Sequence, residues 1–436
     1  MFAKLAEKWR YQRALERLTQ RASRRGRPRL ICEGGPDLRE LHHQLDGVAN
    51  KLARAVSQGR YRFSPVEPRT VIVDKPRVLY AMTAADHAVL LVLSQLLTEA
   101  IEPILPEALH SYRRGRGAHT ALESLASYLA EYRRATPIRA RALYLLRRDV
   151  RAYGDSIPAG DDSPLWPELA LSLGPQPADF LRFVQSAFCP PVRWPDGRVA
   201  PREVGIVNGN PCQTIACNLY LRPLDDALAR LPGGLYLRYG DDLLFAHPDA
   251  VVARKASELL DAQARALRLD WGVDKSRALY FTGPGRRPST ECADFVASDR
   301  TEYLGLSVSF NGARSLKKAR ARKLLRRLRM RLHHALGSVD AVEGESERAT
   351  VAAQVVRCAL DPRSPVRDPL AELLAGPVND RGQLRKLDHE IALLAAERAC
   401  RKRGVRAFRT LPPRELYARG LPSLLAQRNS RRAHGP

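Results

Sequence analysis

Paired cysteines are the first thing this 436-residue sequence lacks. Its seven cysteines, at positions 32, 189, 212, 217, 292, 358 and 400, are odd in number and contain no C-x-x-C spacing. That argues against a disulfide framework or a zinc finger, and for reduced thiols in a cytoplasm. No apolar run approaches the ~20 residues of a membrane span; the longest, Ala88 to Leu97, is broken by Ser94 and Gln95. The basic N-terminus lacks the apolar core of a secretory signal. Repeats and low-complexity tracts are absent. Acidic residues are scarce at both ends: residues 1–30 carry 10 Lys/Arg against 2 acids, and residues 311–436 carry 28 against 12. The residues between them are near neutral, so almost all of the +25 formal charge lies in two flanking regions. Such a distribution suits a polyanion gripped from both sides, with binding that weakens in salt. An anionic membrane is the rival partner, disfavoured by the missing span.

What is present reads as an α+β chain. Residues 2–22 predict a basic amphipathic helix, stopped by Gly26 and Pro28. Asp37 caps a second helix running to Gly59, and a long apolar helix spans about Ala84 to Ile101. The basic loop SYRRGRGAH (111–119) offers Arg113, Arg114 and Arg116 to phosphates. A strand runs from Ala142, with Asp149 at its C-terminal end. Residues 163–190 predict a helix, RWPDGRVA (193–200) a hairpin, 211–228 a helix, and 250–266 a helix capped by Asp249. Strands are expected near 269–273 and 303–310. The order implies helices behind a mainly antiparallel sheet.

Residues 315–336 form the most regular helical pattern, capped by Ser315, with Leu324, Leu325, Leu328, Leu332 and Leu336 on one stripe. Nine Lys/Arg and no acid fill its other faces. A merely solvated face has no need of that, so Arg322, Lys323, Arg326, Arg327 and Arg331 are candidates for nucleic-acid phosphates. A second basic amphipathic helix is expected over 383–403.

One segment carries chemistry. In YLRYGDDLLFAH (236–247) two apolar strands hold the adjacent carboxylates Asp241 and Asp242 at a glycine turn. Neighbouring carboxylates repel, and burying either without a partner is costly, so the pair calls for a cation or open water. Asp149 is the natural third member. Three carboxylates from two strands suit two Mg²⁺ ions, with Mn²⁺ as the substitute, in a phosphoryl displacement.

The segments DVRAYGDSI (149–157), GIVNGNPCQTIACNLYL (205–221) and RYGDD (238–242) resemble the palm motifs of bacterial reverse transcriptases in order and spacing. Upstream, KPR (75–77) with Asp86, and SYRRGRGAH, resemble the fingers motifs of group II intron-like enzymes. Downstream, Lys275 and YLG (303–305) resemble the last palm motifs. The likeness covers about residues 60–335. It implies a right-hand polymerase: a basic helical extension over 1–60, fingers over 61–141, palm over 142–312, a thumb helix over 313–345 and a basic helical region over 346–436. It further implies that Asp149, Asp241, Asp242 and the Val150 backbone hold the metals, and that Lys75 and Arg77 meet the incoming triphosphate. By the same likeness Gln213 lies near nucleotide or template, Lys275 donates a proton to pyrophosphate, and Tyr303 and Gly305 hold the primer end. An ordinary hairpin charge or surface ion pair is the plainer reading of Lys75, Arg77 and Lys275. Asp155, Asp225 and Asp226 read as a turn residue and helix-surface charges.

One departure stands out. The family usually carries a bulky aromatic five residues after the first motif aspartate, where it excludes the ribose 2′-hydroxyl. Here Gly154 occupies that position and Tyr153 precedes it, and along an extended strand the two would face opposite ways. Either Tyr153 takes over or ribonucleotides are accepted. The implied partners are an RNA template, a primer or cDNA strand, dNTPs and a dedicated non-coding RNA. The GNPCQ block resembles diversity-generating retroelement enzymes and stand-alone defence polymerases, of which the second is favoured. A non-catalytic nucleic-acid scaffold is the different-class alternative. Three uncompensated carboxylates argue against it, because without metals they would repel.

Overall fold

Thr83 accepts the Asp86 amide and opens a helix, Ala84–Ile101, at the expected bounds. Eleven of its side chains are buried, including Leu90, Leu93 and Leu97. By length and composition this stretch, extended to Ile104, is apolar enough to cross a membrane, but most of it is buried within the protein. These features come from a computed structural model, which describes residues 2–25, 43–72, 76–138, 141–337 and 344–433. The chain is mixed α+β. It divides into two units: Met1–Gly115 with Leu146–Arg277, and Arg116–Leu145 with Ala278–Pro436.

The first unit holds seven strands: β1 (Glu67–Ile72), β2 (Pro76–Ala81), the C-terminal half of β3 (Ala142–Asp149), β4 (Val192–Arg193), β5 (Val199–Ala200), β6 (Leu235–Tyr239) and β7 (Asp242–His247). β1 pairs antiparallel with β2, β4 with β5, and β6 with β7 in the register Tyr239↔Asp242. The hairpin neighbours β3 in the order β6-β7-β3. Asp249 caps the helix Ala250–Ala266 by accepting the Val251 amide, as expected from the sequence.

The second unit contains β8 (Arg277–Thr282), β9 (Val296–Ser298), β10 (Arg300–Tyr303), β11 (Leu306–Ser309) and β12 (Arg314–Leu316). β8 and β9 run parallel, while β10, β11 and β12 form an antiparallel meander. Its helical part is built from Lys318–Gly337, Glu345–Leu360 and Arg381–Cys400, which pack on one another. Leu324, Leu328 and Leu332 from the first bury fully, as their spacing predicts.

Several boundaries differ for identifiable reasons. The N-terminal helix begins as a 3-10 turn, Phe2–Ala6, and continues as Lys8–Arg25. Asp37 lies outside the described residues; the second helix is described over Leu45–Ser57. The single helix expected over 163–190 is two, Leu165–Leu173 and Ala178–Phe188, because Gly174 adopts φ +65° between them and Pro175 and Pro177 follow. The expected helix over 211–228 is likewise two, with Pro223 in the first turn of the second. No strand forms at 269–273. Arg268 turns left-handed there, and Trp271 makes only an isolated bridge to Val150. Ser315 lies in β12 and caps nothing; the basic helix starts at Lys318.

Candidate active site

Asp149 is the last residue of β3 and is 6% exposed. Two backbone contacts fix its surroundings: its carbonyl accepts the Gly272 amide at 2.7 Å, and the next amide, Val150, donates to the Asp241 carbonyl at 3.1 Å. The acidic turn is thereby tied to the end of the neighbouring strand. Gly272 eases this approach, since a Cβ there would sit 3.3 Å from both the carbonyl oxygen and Oδ2 of Asp149 and press on them.

The three carboxylates are not left to one another. Arg147, two residues before Asp149 and so on the same face of β3, grips Asp242 with Nε on Oδ1 at 3.0 Å and Nη2 on Oδ2 at 2.8 Å. Lys275 Nζ lies 2.7 and 2.9 Å from the two oxygens of Asp149. Two built-in cations thus compensate Asp242 and Asp149 without any metal, while Asp241 still feels the repulsion of its neighbours. Burial raises the Asp241 carboxyl above the usual range, and Asp149 beside it adds to the shift. Burial also raises Asp242, against the pull of Arg147. The hydrogen bond to Asp149 holds the Lys275 ammonium above the ordinary lysine value.

Among the described residues no three His, Cys, Asp or Glu are gathered as a metal-binding group. The donor chemistry nonetheless fits a hard divalent cation, which takes carboxylate and carbonyl oxygens. Asp149 is engaged by Lys275 and Asp242 by Arg147, which leaves Asp241 the least engaged of the three.

Behind the turn lies a polar network that sequence reading missed. Arg238 is fully buried, and Asp225, read as a helix-surface charge, is fully buried with it. The correction follows from the geometry: Arg238 donates to both Asp225 oxygens at 2.6–3.0 Å and to the Asn218 carbonyl at 3.0 Å. Tyr236 adds a third donor to Asp225. Burial alone would lower the Arg238 pKa, but the facing carboxylate outweighs it and holds the guanidinium above its ordinary value. Asn218 Nδ2 donates to the Ser111 carbonyl, and Ser111 Oγ accepts the Gly240 amide at 2.8 Å. Gly240 itself adopts φ +65°, the left-handed conformation its turn requires. Asp226 does remain near the surface, 3.8 Å from Arg222, and Asp155 bonds with Arg202 and Asn208.

Tyr153 and Gly154 do not lie on an extended strand. Ala152 turns left-handed at φ +47° and Tyr153–Ser156 forms a helical turn, so strand alternation does not decide their directions. Tyr153 is buried and its hydroxyl donates to the Cys217 carbonyl. Over Gly154 lies the amide of Gln213: a Cβ at position 154 would meet its Nε2 at 2.9 Å. That amide donates to Asn208 Oδ1.

The remaining candidates divide by unit. In the first, Arg77 is exposed on β2 and Lys75 lies outside the described residues. Arg113 is held by Glu102 and by the Pro106 carbonyl, and Arg114 is exposed. Asp86 accepts from Tyr61, Thr83 and the Ser64 amide, which makes it a helix-start anchor. Tyr112, not singled out from the sequence, is 64% exposed at φ +55°. A bulky side chain in that conformation is an outlier of the kind found at working sites. Partial burial raises its phenol pKa, with Cys217, Tyr239 and Asp241 adding to the shift and Arg77 opposing.

In the second unit, Arg116 is half-buried. Tyr303 is fully buried, and Gly305 (φ +83°) lies directly under the Arg320 guanidinium. Along the basic helix Arg322 and Arg326 are exposed and Lys323 is half-buried. Arg327 makes a bidentate pair with the buried Asp368 at 2.6 and 2.7 Å, and Arg331 donates to the Val366 carbonyl. These two therefore also serve the packing of their own unit.

No family model and no curated protein matches the chain. Among the solved structures similar to it are three telomerases, each at 12% identity. The apo enzyme of Candida tropicalis truncated from its C-terminal domain has a TM-score of 0.43, over 58% of this chain and 55% of that one. Telomerase of Candida albicans in complex with a fragment of telomeric RNA has 0.45, over 78% and 60%. Apo telomerase of C. tropicalis has 0.43, over 81% and 68%. The chain thus spans just over half of the length of two of these. At TM-scores below 0.5 these likenesses carry no functional inference.

Proposed function

We propose that this chain is a nucleotidyltransferase of the reverse-transcriptase type, an RNA-directed DNA polymerase that extends a primer on an RNA template. The observation that carries this reading is the tie between Asp149 and the Asp241–Asp242 turn, with Lys275 on Asp149. Together with the ordered sequence blocks, it supports a polymerase reading, in which the carboxylates would align a 3′-hydroxyl with a triphosphate. Mg²⁺, when bound, would be held by Asp149, Asp241, Asp242 and the Val150 carbonyl, and would supply charge stabilisation to the transferring phosphoryl group. Arg147 keeps Asp242 in place as an ion pair, and Lys275, the cation on Asp149, would give a proton to the departing pyrophosphate. A stand-alone bacterial enzyme of anti-phage defence is the favoured biological setting, diversity generation the second.

Primer extension on an RNA template with Mg²⁺, with dNTPs and rNTPs run separately, tests the reading. DNA product supports it, and RNA product supports a ribonucleotide-accepting polymerase; no product with either, on several primer–template pairs, overturns it. The burial of Tyr153 favours acceptance of ribonucleotides, because its ring is committed beneath the site. Gly154→Phe is then expected to lower rNTP incorporation roughly 10–200-fold relative to dNTP, the range for a 1–3 kcal/mol change in a pocket. The first atom of the new side chain meets the flexible end of Gln213. An unchanged dNTP/rNTP ratio of kcat/KM would remove Gly154 from sugar selection.

A further inference from the structure

A cavity of about 590 Å³ in the second unit is lined by Arg329, Glu397, Arg398, Arg401, Lys402 and Arg403. Four guanidiniums and one ammonium therefore face one carboxylate. Arg329 comes from the helix Lys318–Gly337; the others come from the last turn of Arg381–Cys400 and the residues just beyond it. The turn is built. Arg401 adopts φ +57°, Glu397 accepts the Gly404 amide at 2.8 Å, and Lys402 Nζ donates to Thr410 at 2.9 Å. Glu397 is thus spent on the loop, and among the described residues none of the five cations stands in an ion pair.

A helix C-terminus favours positive charge, but that effect fades within the last turn. It accounts for Arg398 and leaves Arg329, brought in from another helix, unexplained. Arg329, Arg401, Lys402 and Arg403 are exposed, so water screens part of their mutual repulsion, and an anion bridging them would remove the rest. The guanidinium fork matches phosphate oxygens bidentately, and Arg outnumbers Lys here by four to one. A cavity between two helices admits a chain of phosphates, whereas a bilayer surface needs a flat or convex basic face.

We propose that this cavity is a phosphate-chain site, occupied by the backbone of a bound nucleic acid. It is independent of the catalytic reading, because it lies on other residues and requires no turnover.

The test compares the full chain with the triple variant Arg398→Gln, Lys402→Gln, Arg403→Gln, by fluorescence anisotropy of a labelled single-stranded RNA across a KCl series. Arg401 stays, since its left-handed backbone is part of the turn. Losing three phosphate contacts is expected to reduce the slope of log affinity against log salt by about 2, from ~0.7 per contact on a single strand. A triple variant carrying Arg398→Lys and Arg403→Lys with Lys402→Arg should keep the slope, separating charge from folding. A second arm titrates sodium tripolyphosphate calorimetrically. Tripolyphosphate bound by the parent chain and lost in the Gln variant, with the RNA slope unchanged, assigns the site to a free polyphosphate. An unchanged slope with no tripolyphosphate binding overturns the proposal. The same slope change in a chain inactive in primer extension would uphold the site while rejecting the polymerase.

Discussion

Asp241→Asn together with Asp242→Asn is expected to abolish nucleotide incorporation while RNA affinity stays within about threefold, since phosphate contacts carry that affinity. The expected loss is about 10³-fold or more: a bound metal's stabilisation of the transferring group is worth several kcal/mol, and each ~1.4 kcal/mol is tenfold. The two substitutions differ in side effects. Asp242→Asn strips Arg147 of its bidentate partner, so part of its effect would be structural. Among the described residues Asp241 has no such ion-pair partner to orphan, and Asp241→Asn alone should give most of the loss with thermal stability intact. Primer extension and RNA anisotropy on the same preparations check both. A double variant that still extends primers would remove these carboxylates from the chemistry.

The largest stability effect is expected at Asp225→Asn. The carboxylate is fully buried, as is Arg238, and its loss leaves a guanidinium charge in the interior with only carbonyls to face. Breaking one side of a buried pair costs about 3–5 kcal/mol. Replacing both partners together, Asp225→Leu with Arg238→Met, is expected to recover most of that, because an apolar pair of similar volume carries no desolvated charge. Urea unfolding of the parent, single and double variants measures it. A single variant within about 1 kcal/mol of the parent would mean that Asp225 is neutral in the folded chain. If Arg238 also holds the Gly240 turn through Asn218 and Ser111, the double variant should fold well yet extend primers slowly.

The contrast between these two sites shows how far the sequence reaches. Asp149, Asp241 and Asp242 were legible because carboxylates at strand ends, flanked by apolar runs and a glycine turn, break a local rule in view. Asp225 was not. In RPLDDAL it sits beside Asp226 on a helix, and helical periodicity alone does not tell which of two adjacent acids turns inward. That choice is made by Arg238, 13 residues later, and by what buries both. The same holds for Arg147: alternation put it on the face of Asp149, but only the pairing of β3 with β7 shows that it compensates Asp242.

The sequence by itself determined the elements whose signals are local. The helices at Ala84 and Ala250 start where expected, the second on its expected cap Asp249, the RYGDD turn forms its hairpin, and Leu324, Leu328 and Leu332 bury as one stripe. Tertiary structure decided what depends on partners distant in the chain. It buried Tyr153 against Cys217, laid Gln213 over Gly154, and drew Arg329 to the end of another helix. Hydrogen bonds and turns between neighbours are written in adjacent residues; which charges become buried, paired or gathered depends on contacts made across tens of residues.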